Sequence, residues 1–440
     1  MTPTQLSRRD FLDAAVATTA AGMLASGLAE TAAFAQPAEC RSDELPRVAA
    51  INSIYRLRSH AYHIAGRFIH GYSREGVHHQ PPFKLVRMYN DQYPADDLGR
   101  AVCKQHGIEL CRTPAEALGG ERGLDVDAVL LIVEHGDYPL NDRGQILYPR
   151  YELFEQVMQV FRTSGRSVPV FCDKHLSYDH RSAAKMVAAS REMGFGLMAG
   201  SSLPVTWRRP ELEPPLETAF TEGLVAFGYD RGPAEIYLFH ALECLQCLLE
   251  RRRGGETGVR SVTCLQGDAV WQAADQGRWS WKLLEAALAC NPSNNYGRPR
   301  ENVSKPQAIL VEYRDGARGT VLNLIEQVSD FSFAGSVAGD SARPRNQALG
   351  EGLTTLSTAF VLPNPPGAKF FDPLTFNIEK FFAAGRPPYP VERTLLTSTV
   401  LDWALRSFAD GSRRVEDPSL DVRYQPPADS GFFRGRFTDV

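Results

Sequence analysis

Residues 166–177 read RSVPVFCDKHLS. From Ser167 to Cys172 the apolar residues follow one another without strict alternation, which predicts a strand buried on both faces. Asp173, Lys174 and His175 come directly after it. Lys174 thus lies at the carboxyl end of such a strand, where open α/β sheets place ligands. Downstream, Ser182–Met193 has helical spacing, and Gly196–Gly200 reads as a further short strand.

The same alternation runs upstream. Val48–Ile51, Lys84–Tyr89 and Asp127–Val133 read as buried strands, and His60–Ile69, Asp97–His106 and Tyr151–Ser164 as helices. Thr113–Leu118 is a short helix with Thr as its cap and Pro at its first position. Repeated strand–helix units with two-sided apolar strands argue for a parallel sheet covered by helices. The character changes near Ser201–Pro204, where a Pro- and Glu-rich linker (Arg209–Leu216) leads into longer strands at Val259–Leu265, Gln307–Tyr313, Gly319–Leu324 and Val328–Phe333. Asp315-Gly316 is a hairpin signal. Helices are expected at Ala234–Arg251, Trp279–Ala289, Leu374–Ala384 and Glu392–Phe408. The expected fold class is α/β: a Rossmann-like parallel-sheet domain over residues 36–200, then an α+β domain with a mostly antiparallel sheet over 201–440.

Residues 1–35 have the parts of an export signal. Ser7-Arg8-Arg9-Asp10-Phe11-Leu12 precedes an uncharged Ala-rich run, which exits through Ala33-Phe34-Ala35. The paired arginines resemble a twin-arginine signal, which implies the twin-arginine export machinery as a partner and a periplasmic location. The whole chain has 440 residues and a formal charge of −4. That near-neutral balance gives no electrostatic case for nucleic acid. No later stretch holds the roughly 18 apolar residues of a membrane span. Cys244 and Cys247 form a C-x-x-C in an apolar helical stretch with no second pair to complete a zinc site, so packed thiols are expected there.

Leu110–Leu118 (LCRTPAEAL), Asp125–Val133 (DVDAVLLIV), Arg166–Ser177, Gly200–Val205 (GSSLPV) and Asn377–Val415 with its FFAAGRPPYPVER follow one another in an order that resembles the glucose-fructose oxidoreductase / inositol dehydrogenase (Gfo/Idh/MocA) superfamily. The resemblance spans about Arg47 to Tyr424. It implies an oxidoreductase with NAD or NADP on the first domain and a sugar, polyol or glycoside between the domains. It also implies a homo-oligomer formed through the open face of the second sheet.

Carried over residue by residue, Lys174 stands at the Glu-Lys-Pro lysine, where it orients substrate. His240 stands at the proton-transfer histidine, with Glu243 at the acidic position three residues later. The expected Asp four residues before His240 is Ile236, and Glu235 would point about 100° away on a helix. The glycine fingerprint of the first loop is absent: Asn52–His60 reads NSIYRLRSH. Arg56, Arg58, Ser59 and the helix N-terminus are its candidate phosphate contacts, and Asp91 is the candidate ribose ligand. Glu134 and His135, which end the fourth strand beside them, are further candidate cofactor contacts.

His60, His63, His135, His175 and His180, with Glu134 and Asp137, form a second constellation at the same sheet edge. It can hold a divalent metal or line a polar substrate pocket, with His60, His175, Asp137 and Glu243 as substrate contacts. Tyr55, Trp207, Trp279 and Trp281 are candidate stacking surfaces for a sugar ring. The alternative function is a non-redox lyase or hydrolase, metal-assisted or not, or a sugar-binding protein that has lost the dinucleotide site.

Overall fold

A computed structural model describes residues 44–229, 232–339, 353–363 and 368–434. The proposed signal, 1–35, lies outside the described residues. Strands β1 (Arg47–Asn52), β4 (Lys84–Asn90), β5 (Glu109–Cys111), β6 (Ala128–Ile132), β7 (Val170–Asp173) and β8 (Leu197–Gly200) form one sheet in the order β5-β4-β1-β6-β7-β8. All five pairings are parallel. This is the doubly wound order, whose ligand crevice opens beyond the carboxyl ends of β1 and β6, where the winding reverses. A small hairpin, β2 (Tyr72–Arg74) and β3 (Val77–His79), fills part of the segment between β1 and β4.

Strand side chains alternate between two separate cores. Ala49, Ile51, Leu131 and Cys172 face helices α3 (Pro114–Leu118), α4 (Arg150–Ser164) and α5 (His180–Glu192) through Leu118, Phe154, Met158 and Met186. Val48, Ala50, Leu130 and Phe171 face α1 (His60–His70) and α2 (Gly99–His106) through Ile64, Phe68 and Cys103. Period-two alternation on strands with both faces covered explains why these segments read as continuous apolar runs.

The second sheet has the order β11-β12-β13-β10-β14-β15-β9. Its strands are β9 (Arg208–Arg209), β10 (Phe220–Phe227), β11 (Val259–Gln266), β12 (Gln307–Tyr313), β13 (Arg318–Asn323), β14 (Ser332–Ala338) and β15 (Leu353–Phe360). Every pairing is antiparallel except β10 with β13. Asp315-Gly316 does turn the β12–β13 hairpin. Gly316 has φ 90°, and the Asp315 carboxylate accepts from the Ala317 N–H. Strand β10 sits inside the sheet although its sequence was not read as a strand. The expected strand at Val328–Phe333 is instead a turn followed by β14, because Val328 N–H bonds back to Leu324.

Helices α6 (Glu235–Leu249) and α11 (Val391–Ala409) cover one face of this sheet. Helices α7 (Asp268–Asp275) and α8 (Trp281–Cys290) cover the other; a short turn of helix, α9 (Pro299–Asn302), follows. Trp271, Trp279, Leu283 and Ala287 pack there on Leu224, Ala226 and Leu322. The face on which the oligomer expectation rested is therefore not open but covered by the chain's own helices. Trp279 is spent in that layer, and Cys244 and Cys247 are buried free thiols in the α6 core. Helix α10 (Phe371–Ala384), late in the chain, returns to the first sheet. Its Phe371, Leu374, Ile378 and Phe381 join the α1 core.

Candidate active site

Strands β6, β7 and β8 end side by side, and each end carries polar groups into one buried cluster. Glu134, just past β6, lies between two cations. Its Oε1 is 3.0 Å from Lys174 Nζ, and its Oε2 accepts from Arg150 at the start of α4. Burial pushes the Glu134 carboxyl up, but Lys174 and then Arg150 outweigh it and hold it well below the usual range. Arg150 Nη1 donates to His175 Nε2 at 3.0 Å, so His175 is neutral with its proton on Nδ1. Burial, then Arg150, keeps it uncharged.

Two of these strand ends hold non-glycine residues in left-handed conformation: His135 at φ 69° and Lys174 at φ 63°. Such conformations cost on the order of 1–3 kcal/mol each and persist where the surroundings fix them. Here Lys174 N–H bonds to Gly200 O at 3.1 Å, and His135 N–H to the Tyr148 hydroxyl at 3.1 Å. The turn at Lys174 sends its side chain inward. The ammonium is nearly inaccessible and lies 3.4 Å from the carbonyl of Ile236 in the first turn of α6.

His240 follows one turn later on α6. Its Nδ1 is 2.9 Å from the hydroxyl of Ser201, and the same hydroxyl bonds to Glu243 Oε2. Glu243 Oε1 accepts from the Ser201 N–H at 2.9 Å. Burial, then Lys174, holds His240 well below the ordinary histidine range, and burial raises Glu243 to about 7. Glu235, at the start of α6, accepts from Ile146 N–H through Oε1. Its Oε2 is buried without a protein partner, and burial raises it to about 7. The departure at Ile236 is thus accompanied by a buried acid one residue earlier.

His60, the first residue of α1, reaches across to β7. Its Nδ1 is 2.6 Å from Asp173 Oδ2, and its ring lies 5.2 Å from His135 and 5.1 Å from Phe371. His63 stacks on Phe371 at 4.9 Å instead of facing the cluster, and burial lowers it to about 3. Burial likewise lowers His135 to about 3. His180 is elsewhere: it is the first residue of α5, and its Nδ1 lies 2.7 Å from Asp402 Oδ2 of α11.

Lys174, His240, Glu134, His135, His60, His175 and Glu243 are therefore brought together. Asp137 is exposed at the rim, where its backbone exchanges bonds with Gln92. Asp173, Arg150, Ser201 and Glu235 complete the cluster without having been singled out as site residues. Asp173 could have been noticed as the neighbour of Lys174. Arg150 and Ser201 had no local signal.

Among the described residues, three metal-type ligand atoms gather at Asp179, His180 and Asp402 rather than at His60 or His135. Asp402 there already accepts from Arg406 at 3.0 Å and faces Arg143 at 3.6 Å, so guanidinium groups supply the positive charge.

The dinucleotide that the resemblance implies does not fit the first loop in the fingerprint's manner. That fit needs bare backbone at the turn and free donors at the helix start. Tyr55 is fully buried, its hydroxyl directed at Gly66 of α1, and Ile54 is buried beside it. The Ser59 hydroxyl is spent as the α1 cap, accepting from the Arg56 and Tyr62 N–H groups. Arg56 pairs with Asp96, and Arg58 is exposed. Asp91 is exposed at the end of β4 but accepts from the Tyr89 and Tyr138 hydroxyls. Glu134 and His135 are turned into the buried cluster.

No family model matches the chain, and no curated protein does. Solved structures do. The chain is similar to GenD2 from gentamicin A biosynthesis in complex with NAD, at 17% identity over 90% of this chain and 99% of that one, with TM-score 0.48. It is similar to myo-inositol 2-dehydrogenase from Lactobacillus plantarum at 13% identity over 85% and 99%, with TM-score 0.49. It is also similar to myo-inositol dehydrogenase from Lactobacillus casei, in complex with NAD(H) and myo-inositol, at 11% identity over 85% and 97%, with TM-score 0.49.

Proposed function

We propose that the chain is a divergent member of the Gfo/Idh/MocA superfamily that performs acid–base chemistry on a carbohydrate-like small molecule, as a lyase or hydrolase. The observation that carries this reading is the meeting of Lys174 with α6 one turn before His240. Lys174 hydrogen-bonds a substrate hydroxyl or carbonyl and steadies negative charge forming on it. His240, kept neutral, takes the proton from the adjacent carbon or hydroxyl. Glu134, itself held by Arg150, fixes the ammonium, and His60 and His135 are half-buried members of the same cluster. A near-neutral protein suits a neutral polyhydroxyl substrate.

The second reading is NAD(P)-dependent oxidation of the same hydroxyl. The strand order favours it. Two measurements separate them. The purified protein is denatured and its supernatant analysed for dinucleotide by mass spectrometry, and the intact protein is titrated with NAD and NADP. Absence of both release and binding supports the lyase or hydrolase reading; stoichiometric dinucleotide overturns it. The chemistry itself is read by incubating aldoses, uronic acids and glycosides in deuterated water and following C–H exchange or cleavage by NMR. Activity lost in both Lys174→Met and His240→Gln is expected, and activity kept in either removes the assigned roles.

We place the protein in the periplasm by the twin-arginine route, on the residues Ser7–Leu12 and Ala33–Ala35. Substituting both Arg8 and Arg9 by lysine would leave it in the cytoplasm on cell fractionation; unchanged export would overturn that placement.

A further inference from the structure

We infer that Ser201 and Glu243 form a proton relay behind His240, so that a proton taken up at His240 Nε2 ends on the Glu243 carboxylate rather than as charge on the imidazole. The inference rests on His240 being the base of the proposed site.

The geometry has one hydroxyl between two titratable groups. Ser201 Oγ bonds to His240 Nδ1 and to Glu243 Oε2, while Glu243 Oε1 is fixed by the Ser201 N–H. A hydroxyl has one proton to donate, so the two bonds must run in the same direction. With Glu243 ionised, Ser201 donates to Glu243 and His240 Nδ1–H donates to Ser201, which leaves Nε2 bare as a base. With Glu243 protonated, the carboxyl donates to Ser201 and Ser201 donates to Nδ1, so the proton of His240 sits on Nε2. One proton enters at Nε2, the Nδ1 proton moves to Ser201, and the Ser201 proton moves to Glu243. The total charge of the trio rises by one, carried by the neutralised carboxylate, and no imidazolium is formed.

The surroundings favour that neutral outcome. Glu243 is 2% exposed, and burial disfavours its anion. The groups facing it are Lys174 past β7, Arg393 and the Thr394 hydroxyl on α11, and the Tyr389 hydroxyl just before α11. Arg393 is already paired with Glu250. His240 is ringed by Tyr237, Phe239 and Phe331; burial first, then Lys174, disfavours an imidazolium there and outweighs the opposing pull of Glu134.

The test is the tautomer of His240, read by long-range ¹⁵N–¹H correlation on the labelled protein and assigned by its loss in His240→Gln. No substrate is needed. Wild type is expected to carry the proton on Nδ1 at pH about 9 and on Nε2 at pH about 5, switching as Glu243 titrates. Glu243→Gln is expected to hold the Nε2–H form throughout, because the fixed Ser201 N–H keeps the amide oxygen at Oε1 and places the NH₂ against Ser201. Ser201→Thr keeps the hydroxyl and the switch; Ser201→Ala loses the coupling. A single tautomer at both pH values in wild type, or a switch that persists in Ser201→Ala, overturns the relay. A switch without any sugar chemistry leaves the relay standing and removes the functional reading; sugar chemistry without a switch does the reverse.

Discussion

Replacing Glu134 by glutamine should harm the protein more than replacing its partner Lys174 by methionine. Glu134 is shared by two cations, Lys174 and Arg150, and all three side chains are essentially buried. At 3.0 Å and an effective dielectric of about 20, the Lys174 pair alone attracts by about 5 kcal/mol. Lys174→Met forfeits that attraction but also removes an ammonium whose burial costs several kcal/mol, and Glu134 keeps Arg150. The net cost is about 1–2 kcal/mol. Glu134→Gln leaves two buried cations facing a neutral amide, which costs about 3–5 kcal/mol. The double variant should recover part of that loss, because it deletes the stranded ammonium. Urea unfolding followed by tryptophan fluorescence and far-UV circular dichroism at pH 7 measures all three. The pH dependence has a definite sign. The Glu134 pKa is depressed in the fold, so its contribution is fully present above the ordinary carboxylate range and is lost as pH falls through the folded value. Wild type should therefore lose stability on acidification more steeply than Glu134→Gln. A Lys174→Met variant as damaged as Glu134→Gln, or a double variant worse than Glu134→Gln, would refute the reasoning.

Arg393→Met should destabilise by about 3–5 kcal/mol in the same assay, since it strands the Glu250 carboxylate that Arg393 and the Tyr424 hydroxyl hold between α6 and α11. Glu235 has its pKa raised to about 7 by burial, so the folded state binds the extra proton between about pH 4 and 7 and stability falls as pH rises through that window. Glu235→Gln, which keeps the acceptor for Ile146 N–H, should be more stable than wild type by about 1–3 kcal/mol at pH 8 and nearly equal to it at pH 4, as thermal melts would report. Tyr55→Phe should leave stability unchanged or raise it by up to about 1 kcal/mol, because the buried hydroxyl has no protein partner; a marked loss in the melting temperature would show that it is satisfied by an ordered water.

The sequence by itself determined the first sheet, because a strand buried on both faces must be apolar at consecutive positions. Val48–Ile51, Asp127–Val133 and Ser167–Cys172 could be little else. It also placed Lys174, since a polar residue directly after such a strand is carried to the sheet's carboxyl edge. His240 came from the resemblance rather than from periodicity. Strand β10 was missed because Phe220–Phe227 (FTEGLVAF) carries Glu222 and Gly223 in its middle, residue types depleted in strands, and this breaks its apolar run. The extent of the buried cluster was decided by tertiary structure alone. Arg150 is a helix-start residue and Ser201 a crossing residue; they become partners of Glu134 and His240 only when β6, β7, β8 and α6 meet. The fate of the first loop was decided the same way. The missing glycines were legible, but that Tyr55 lies buried against Gly66 and that Ser59 is spent as a cap depends on how α1 settles on the sheet. Local sequence fixes which side chains a strand end presents, whereas the packing of distant segments fixes which of them meet and what charge they can carry once water is gone.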